Sequence, residues 1–174
     1  SSRAGLRSEG RASPERPGMC RMPDLLVKLY PLDDRPVGLP GFELRRPLPH
    51  EKHVVCGWIR RQFGDGWAGE CEPAFARQPV SCFIALRENQ LVGFACYEVT
   101  CRGFFGPTGV AEECRGRGVG NALLLKSLHA MREMGYAYAI IGGAGPVEYY
   151  KKTVGAISIP DAAPGIYPRK AIGP

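Results

Sequence analysis

Cys114-Arg115-Gly116-Arg117-Gly118-Val119-Gly120-Asn121 is the stretch of this 174-residue chain whose residue types most directly imply chemistry. Arginines and glycines alternate in it, and the apolar run Ala122 to Leu125 follows at once. Gly109-Val110, just upstream, reads as the end of a strand. A strand, a glycine-rich turn and a helix start leave unpaired backbone N–H groups at the positive end of a helix dipole, which makes an anion site. Glycine lets the main chain come close to a bulky ligand. Arg115 and Arg117 add fixed positive charge. The chemistry implied is the binding of phosphate, and of a pyrophosphate in particular.

Two familiar phosphate loops do not fit. A P-loop needs Lys-Ser or Lys-Thr after its last glycine, and neither follows here. A dinucleotide loop needs G-x-G-x-x-G or -A. Counting from Gly116 the last position is Asn121, and counting from Gly118 it is Leu123. A turn that merely caps a helix is the bland alternative for these residues taken alone.

The elements that would position the loop can be read along the chain. Leu25 to Tyr30 reads as a short strand, and Phe42 to Arg46 alternates apolar and polar like a half-buried one. Pro49-His50-Glu51 opens a helix with Val54, Val55, Trp58 and Ile59 inward, broken at Gly64-Asp65-Gly66. Trp67 to Gln78 suggests a second, short or irregular helix. Ser81 to Arg87 and Leu91 to Thr100 read as a hairpin turning at Glu88-Asn89-Gln90. Phe104 to Val110 is the next strand, bent at Pro107 and Gly109.

After the loop, Leu124, Leu128 and Met131 share one helix face, with Leu123, Ala130 and Met134 alongside. Gly135 stops that helix. Tyr136 to Ile141 is apolar throughout, as a strand covered on both faces would be. Gly142 to Pro146 is a loop, Val147 to Val154 a short helix closed near Gly155, and Ala156 to Pro160 a strand. Gly165 to Tyr167 is read as a last strand.

That order of elements, with Arg115, Gly118 and Gly120 in the pattern Q/R-x-x-G-x-G/A, resembles the GNAT superfamily of N-acetyltransferases. A second match lies in Glu148-Tyr149-Tyr150-Lys151-Lys152-Thr153-Val154-Gly155-Ala156, which is similar to the family's aromatic-Tyr-x-K-x-G-aromatic segment. The resemblance spans residues 42–160. It implies an α/β (α+β) fold with a single mixed, mostly antiparallel central sheet of about six to seven strands, flanked by about four helices. The chain departs from the pattern in three ways. One extra residue precedes Gly155, Ala156 replaces an aromatic, and Gly142 to Gly145 stands where an asparagine is usual.

The resemblance implies acetyl transfer from acetyl-CoA, a co-substrate, to a primary amine by direct attack in a ternary complex. It places the pyrophosphate on the N–H groups of Arg117, Gly118, Val119, Gly120 and Asn121, beside Arg115 and Gly116. It places the pantetheine arm along Thr108, Gly109 and Val110. Tyr150 is the first candidate for the acid that protonates the leaving thiolate, and Tyr149 the second. Glu98 reads as sharing a strand face with Val92, Phe94 and Cys96 and is the candidate base, with an edge carboxylate in solvent or in a salt bridge as its alternative. The loop Phe63 to Glu72 brings aromatics and carboxylates to the acceptor side, which would suit a small cationic amine, while a solvated acidic loop with Trp67 in the core is the alternative. A protein or peptide amine stays open, as does a non-catalytic acyl-CoA-binding module. A homodimer is a mild expectation of the resemblance.

Composition bounds the rest. The length suits one domain over 22–174. Residues 1–21 carry five arginines against two glutamates with little apolar content, and read as a disordered basic tail ahead of a start at Met22 or Met19. The net charge of +6 forms no lysine-rich block, which argues against nucleic acid as a partner. No apolar run nears the roughly 20 residues of a membrane helix, and no signal peptide is apparent. The seven cysteines are odd in number and scattered without a C-x-x-C pair, which argues against disulfides and a structural zinc and for a cytoplasmic protein. His50 and His53 lack an evident third ligand and read as surface residues, so no metal is expected. His129 falls on the polar strip of its helix. Cys101 and Cys114 flank the loop without a paired histidine.

Overall fold

A computed structural model describes residues 22–163 and 165–167. The tail read as disordered, residues 1–21, lies outside the described residues. The elements follow as β1 (Leu25–Lys28), β2 (Glu43–Arg45), α1 (Lys52–Phe63), α2 (Asp65–Cys71), β3 (Cys82–Arg87), β4 (Gln90–Tyr97), β5 (Phe104–Val110), α3 (Val119–Glu133), β6 (Tyr138–Ile141), α4 (Val147–Val154) and β7 (Ile157–Ser158). The strands make one seven-stranded sheet in the order β2-β3-β4-β5-β6-β1-β7. Every pairing is antiparallel except β5 with β6. The fold is therefore the open mixed sheet with four helices that the sequence implies.

Local chemistry sets the boundaries. Glu88 and Asn89 both have positive φ, at 49° and 60°, the two-residue turn whose twist suits a hairpin. Gly64, at φ 95°, separates α1 from α2. Gly155, at φ 64°, takes the last carbonyls of α4 in a left-handed cap.

The helices cover the sheet on two faces. Gly93 of β4 faces α3, where an added Cβ would lie 3.1 Å from Leu123 Cδ1. Leu123, Leu124, Leu128 and Met131 of α3 are buried against that face, each contributing about 2 kcal/mol by removal from water. The other face carries Phe94, whose ring meets Trp58, Phe63 and Trp67 with centroids 6.3, 5.8 and 6.3 Å away. α1 and α2 supply those three rings.

Several expectations need correction. Val54 and Met134 are exposed rather than inward. Met134 caps α3 instead of extending its apolar face. β6 begins at Tyr138, itself exposed, so it is not covered throughout. Gly165 to Tyr167 forms no strand. β4 stops at Tyr97, and Glu98 sits beyond it at φ 62°, so Glu98 does not share the row of Phe94 and Cys96. The N-terminal β1 lies between β6 and β7, a position no local pattern signals.

Candidate active site

The sheet parts along β5. β4 pairs with β5 as far as Val110, whereas β6 meets it only at Phe104 and Phe105. The Ala111 N–H is spent on the Val92 carbonyl at 2.8 Å. Alternation along a strand then aims the Val110 and Thr108 N–H groups at the opening. Gly109 can occupy this strand only because it has no side chain. An added Cβ would lie 2.5 Å from Phe63 Cζ.

At the end of β5 the chain enters α3 through Gly118, whose φ of 85° is left-handed. The first helical bond runs from the Ala122 N–H to the Gly118 carbonyl at 3.0 Å. The N–H groups of Val119, Gly120 and Asn121 therefore have no partner within the helix, at its positive pole. Arg115 is anchored there by its Nε, which donates to the Val110 carbonyl at 3.2 Å.

These features open onto one cleft of about 1290 Å³, larger than the roughly 300–1,000 Å³ usual for a drug-sized ligand. Thr108, Gly109, Val110, Arg115, Gly116, Gly118, Gly120 and Asn121 line it. The Arg117 side chain is exposed and does not line it, and Val119 is buried beneath the loop. Cys114 borders the cleft but is buried, and Cys101 is exposed.

Tyr150 and Tyr149 meet the cleft from α4. Tyr150 faces inward with 6% of its surface exposed. Its ring packs edge-on against Tyr149 with centroids 5.1 Å apart. Burial, and secondarily the neighbouring Tyr149, push the Tyr150 phenol up to about 12. It therefore holds its proton at neutral pH. Burial also raises Tyr149, opposed by a hydrogen bond with Thr153.

Gly66, Trp67 and Glu70 of α2 close the other end. They come from the loop the sequence assigns to the acceptor side. Trp67 is exposed rather than in the core, packing on Phe63 at 5.2 Å while bordering the cleft. Glu70 Oε1 accepts hydrogen bonds from Thr100 Oγ1 and the Tyr167 hydroxyl, each at 3.0 Å. Burial and the Glu70 charge push the Tyr167 phenol up to about 12. The cleft is thus cationic at Arg115 and anionic at Glu70.

Glu98 does not line this cleft. Its buried carboxylate accepts the Gly103 N–H and the Tyr136 hydroxyl, the latter at 3.0 Å, with Arg77 3.9 Å away. It closes the β4–β5 turn. His50 and His53 are exposed. His129, expected on a solvated strip, is half-buried, and its Nε2 has no hydrogen-bond partner among the described residues.

Sequence reasoning missed Tyr167, 97 residues away from Glu70, because nothing local marks so distant a contact. It also missed Asp24. The Asp24 carboxylate accepts the Gly143 N–H at 2.9 Å and fixes the loop that lines the cleft before α4.

Fold and cleft together define an open-sheet acyltransferase. The sequence model of the acetyltransferase (GNAT) family matches residues 46–155, and the chain belongs to that family of acyltransferase enzymes. No curated protein matches the sequence. Among solved structures, the chain is similar to a GCN5-related glucosamine N-acetyltransferase region of a fungal multi-domain GH3 beta-N-acetylglucosaminidase. That match has a TM-score of 0.64 and 14% identity, over 82% of this chain and 20% of the other. A GCN5-related N-acetyltransferase from Sphaerobacter thermophilus gives a TM-score of 0.56 and 19% identity, over 80% and 50%. A tandem GNAT protein of the clavulanic acid biosynthesis pathway gives 0.53 and 18%, over 78% and 49%. The chain thus spans half or less of the length of these three structures.

Proposed function

We propose that this domain moves an acetyl group from acetyl-CoA to the primary amine of a small molecule, by direct attack within a ternary complex. The observation that carries the reading is the continuity of the cleft. It runs from the unpaired N–H groups at the start of α3, past the open edge of β5, to Tyr150 and Glu70. Three features fit the co-substrate. The N–H groups of Val119, Gly120 and Asn121, with Arg115, suit a pyrophosphate. The Thr108 and Val110 N–H groups suit an extended amide arm. The cleft volume leaves room for an acceptor beside a cofactor.

When bound, acetyl-CoA supplies the acetyl group as a thioester, so that a C–N bond to the amine forms as the C–S bond breaks. The chain's own residues then have three tasks. The Thr108 N–H, the farther of the two from the start of α3, polarises the acyl carbonyl while the Val110 N–H holds the arm. Tyr150, kept protonated by burial, gives its proton to the leaving sulfur and regains one from the nitrogen as the amide forms. Glu70 binds the acceptor's ammonium and takes up its proton through water, so that a neutral amine attacks. No step passes through Glu98, because its oxygens are engaged outside the cleft. Tyr167, held to Glu70, walls the acceptor end and favours a small amine over a long peptide.

The test is thiol release from acetyl-CoA against a panel of small amines, amino acids and peptides, with Arg115→Ala/Gly118→Ala as control. Release with one class of small amine, lost in the control, supports the reading. Release only with peptides moves the acceptor to a polypeptide. No release, while acetyl-CoA still raises the melting temperature, would make the domain an acyl-CoA-binding module.

A further inference from the structure

Three cysteines that the sequence scatters meet in the core. The Sγ atoms of Cys71, Cys82 and Cys96 all lie within 4.8 Å of one another, and none of the three residues is exposed. Cys82 and Cys96 are cross-strand partners on β3 and β4. Cys71, the last residue of α2, reaches them from the helix above. Cys56 of α1, also buried, is a neighbour of Cys71. All four are free thiols.

Packing alone does not call for sulfur here. Small side chains without sulfur fill other positions of the same core, among them Ala68, Ala74, Ala85 and Ala95. Thiols are weak hydrogen-bond partners, so a cluster of them gains little from its own contacts. Three thiolates around one ion gain far more. Metal–sulfur bonds of about 2.3 Å set sulfur atoms about 4 Å apart, which the present spacing reaches by small side-chain rotations. An all-sulfur donor set selects soft ions and rejects magnesium and calcium, which need oxygen ligands.

We propose that Cys71, Cys82 and Cys96 form a buried three-thiolate site for a thiophilic d10 cation, zinc(II) or copper(I). Each thiol releases its proton as its bond to the ion forms, so affinity falls as pH falls. The site lies directly behind the acceptor end of the cleft, because Cys71 follows Glu70 in α2. A bound ion would pin the end of α2 to β3 and β4, and with it the position of Glu70 and Trp67.

The full chain, purified under reducing conditions, is equilibrated separately with zinc(II) and with copper(I), dialysed, and its metal content measured. One of the two ions is expected at one equivalent per chain. X-ray absorption at its edge should show three sulfur ligands near about 2.3 Å. Cys82→Ala and Cys96→Ala should weaken binding by about a hundredfold or more, the loss that even an outer partner of a metal site can cause. Cys101→Ala should leave it unchanged. Because the unmutated chain supplies the spectrum, a variant that fails to fold does not decide the matter. The proposal is overturned if neither ion is retained at one equivalent, if the shell holds fewer than three sulfurs, or if a folded Cys82→Ala/Cys96→Ala variant binds as the parent does. It is also overturned if the purified chain is lighter by two hydrogens with a disulfide within the cluster.

Discussion

Gly109 lies so close beneath Phe63 that an added Cβ would sit 2.5 Å from Cζ and under 3.0 Å from both Cε atoms. Phe63 is itself held by Trp58, Trp67 and Phe94, so its ring cannot simply swing away. Gly109→Ala must therefore push α1 off the sheet or push β5 into the cleft. The expected cost is about 1–3 kcal/mol, as for overpacked cores. Urea unfolding gives the loss of stability, and acetyl-CoA titration should give weaker binding, because Thr108 and Val110 move with the strand.

Gly118 and Gly120 should separate backbone strain from ligand contact. Gly118 has φ 85°, so Gly118→Ala places a side chain in the left-handed region, at a cost of about 1–2 kcal/mol. Gly120 is helical, and its added Cβ would meet Val110 Cγ2 at an ordinary 3.6 Å. Gly120→Ala should leave the ligand-free protein as stable as the parent, or more so by up to about 1 kcal/mol. Thermal melts with and without acetyl-CoA check both. A Gly120→Ala protein that melts normally and yet loses the acetyl-CoA shift would mark direct contact at the helix start.

Tyr150→Phe removes the proposed proton donor and keeps the ring in its packing. The expected effect is a fall in kcat of about 10²–10⁴ with little change in KM for acetyl-CoA, as for loss of a general acid. The phenol is raised to about 12 in the folded protein. A rate dependent on its protonated form should therefore not decline on its account below about pH 11. The sign for stability follows from the same shift. Between the unperturbed value near 10 and about 12 the folded state holds more protons than the unfolded, so this contribution is complete below pH 10 and is lost as pH rises through 12. A pH–rate profile of parent and variant, with melts on the alkaline side, tests both statements.

Glu98→Gln distinguishes a turn-closing carboxylate from a base. The turn would keep its shape but lose charge-assisted bonds to the Gly103 N–H and Tyr136, at a cost of about 1–3 kcal/mol. The kcat of the folded fraction should stay within about twofold of the parent, far short of the 10²–10⁴ of general-base loss. A larger fall in kcat at unchanged stability would return Glu98 to the mechanism.

What the sequence determined by itself was local. The glycine loop, the hairpin at Glu88-Asn89, the breaks at Gly64 and Gly155 and the apolar face of α3 depend on residues a few positions apart, where backbone sterics and helical periodicity act directly. Enough of the site followed to mark Tyr150, Arg115 and the strand Thr108 to Val110 as cleft-lining residues. The tertiary structure alone decided what depends on distant segments meeting. β1 entered between β6 and β7, Tyr167 reached Glu70, and Glu98 left its strand row when a positive φ turned it toward Gly103. The scatter that spoke against a metal site in the sequence is undone when the β3–β4 register sets Cys82 opposite Cys96 and α2 lowers Cys71 onto both. Spacing along a chain bounds only local contacts, whereas a sheet register brings together residues whose separation in sequence carries no signal.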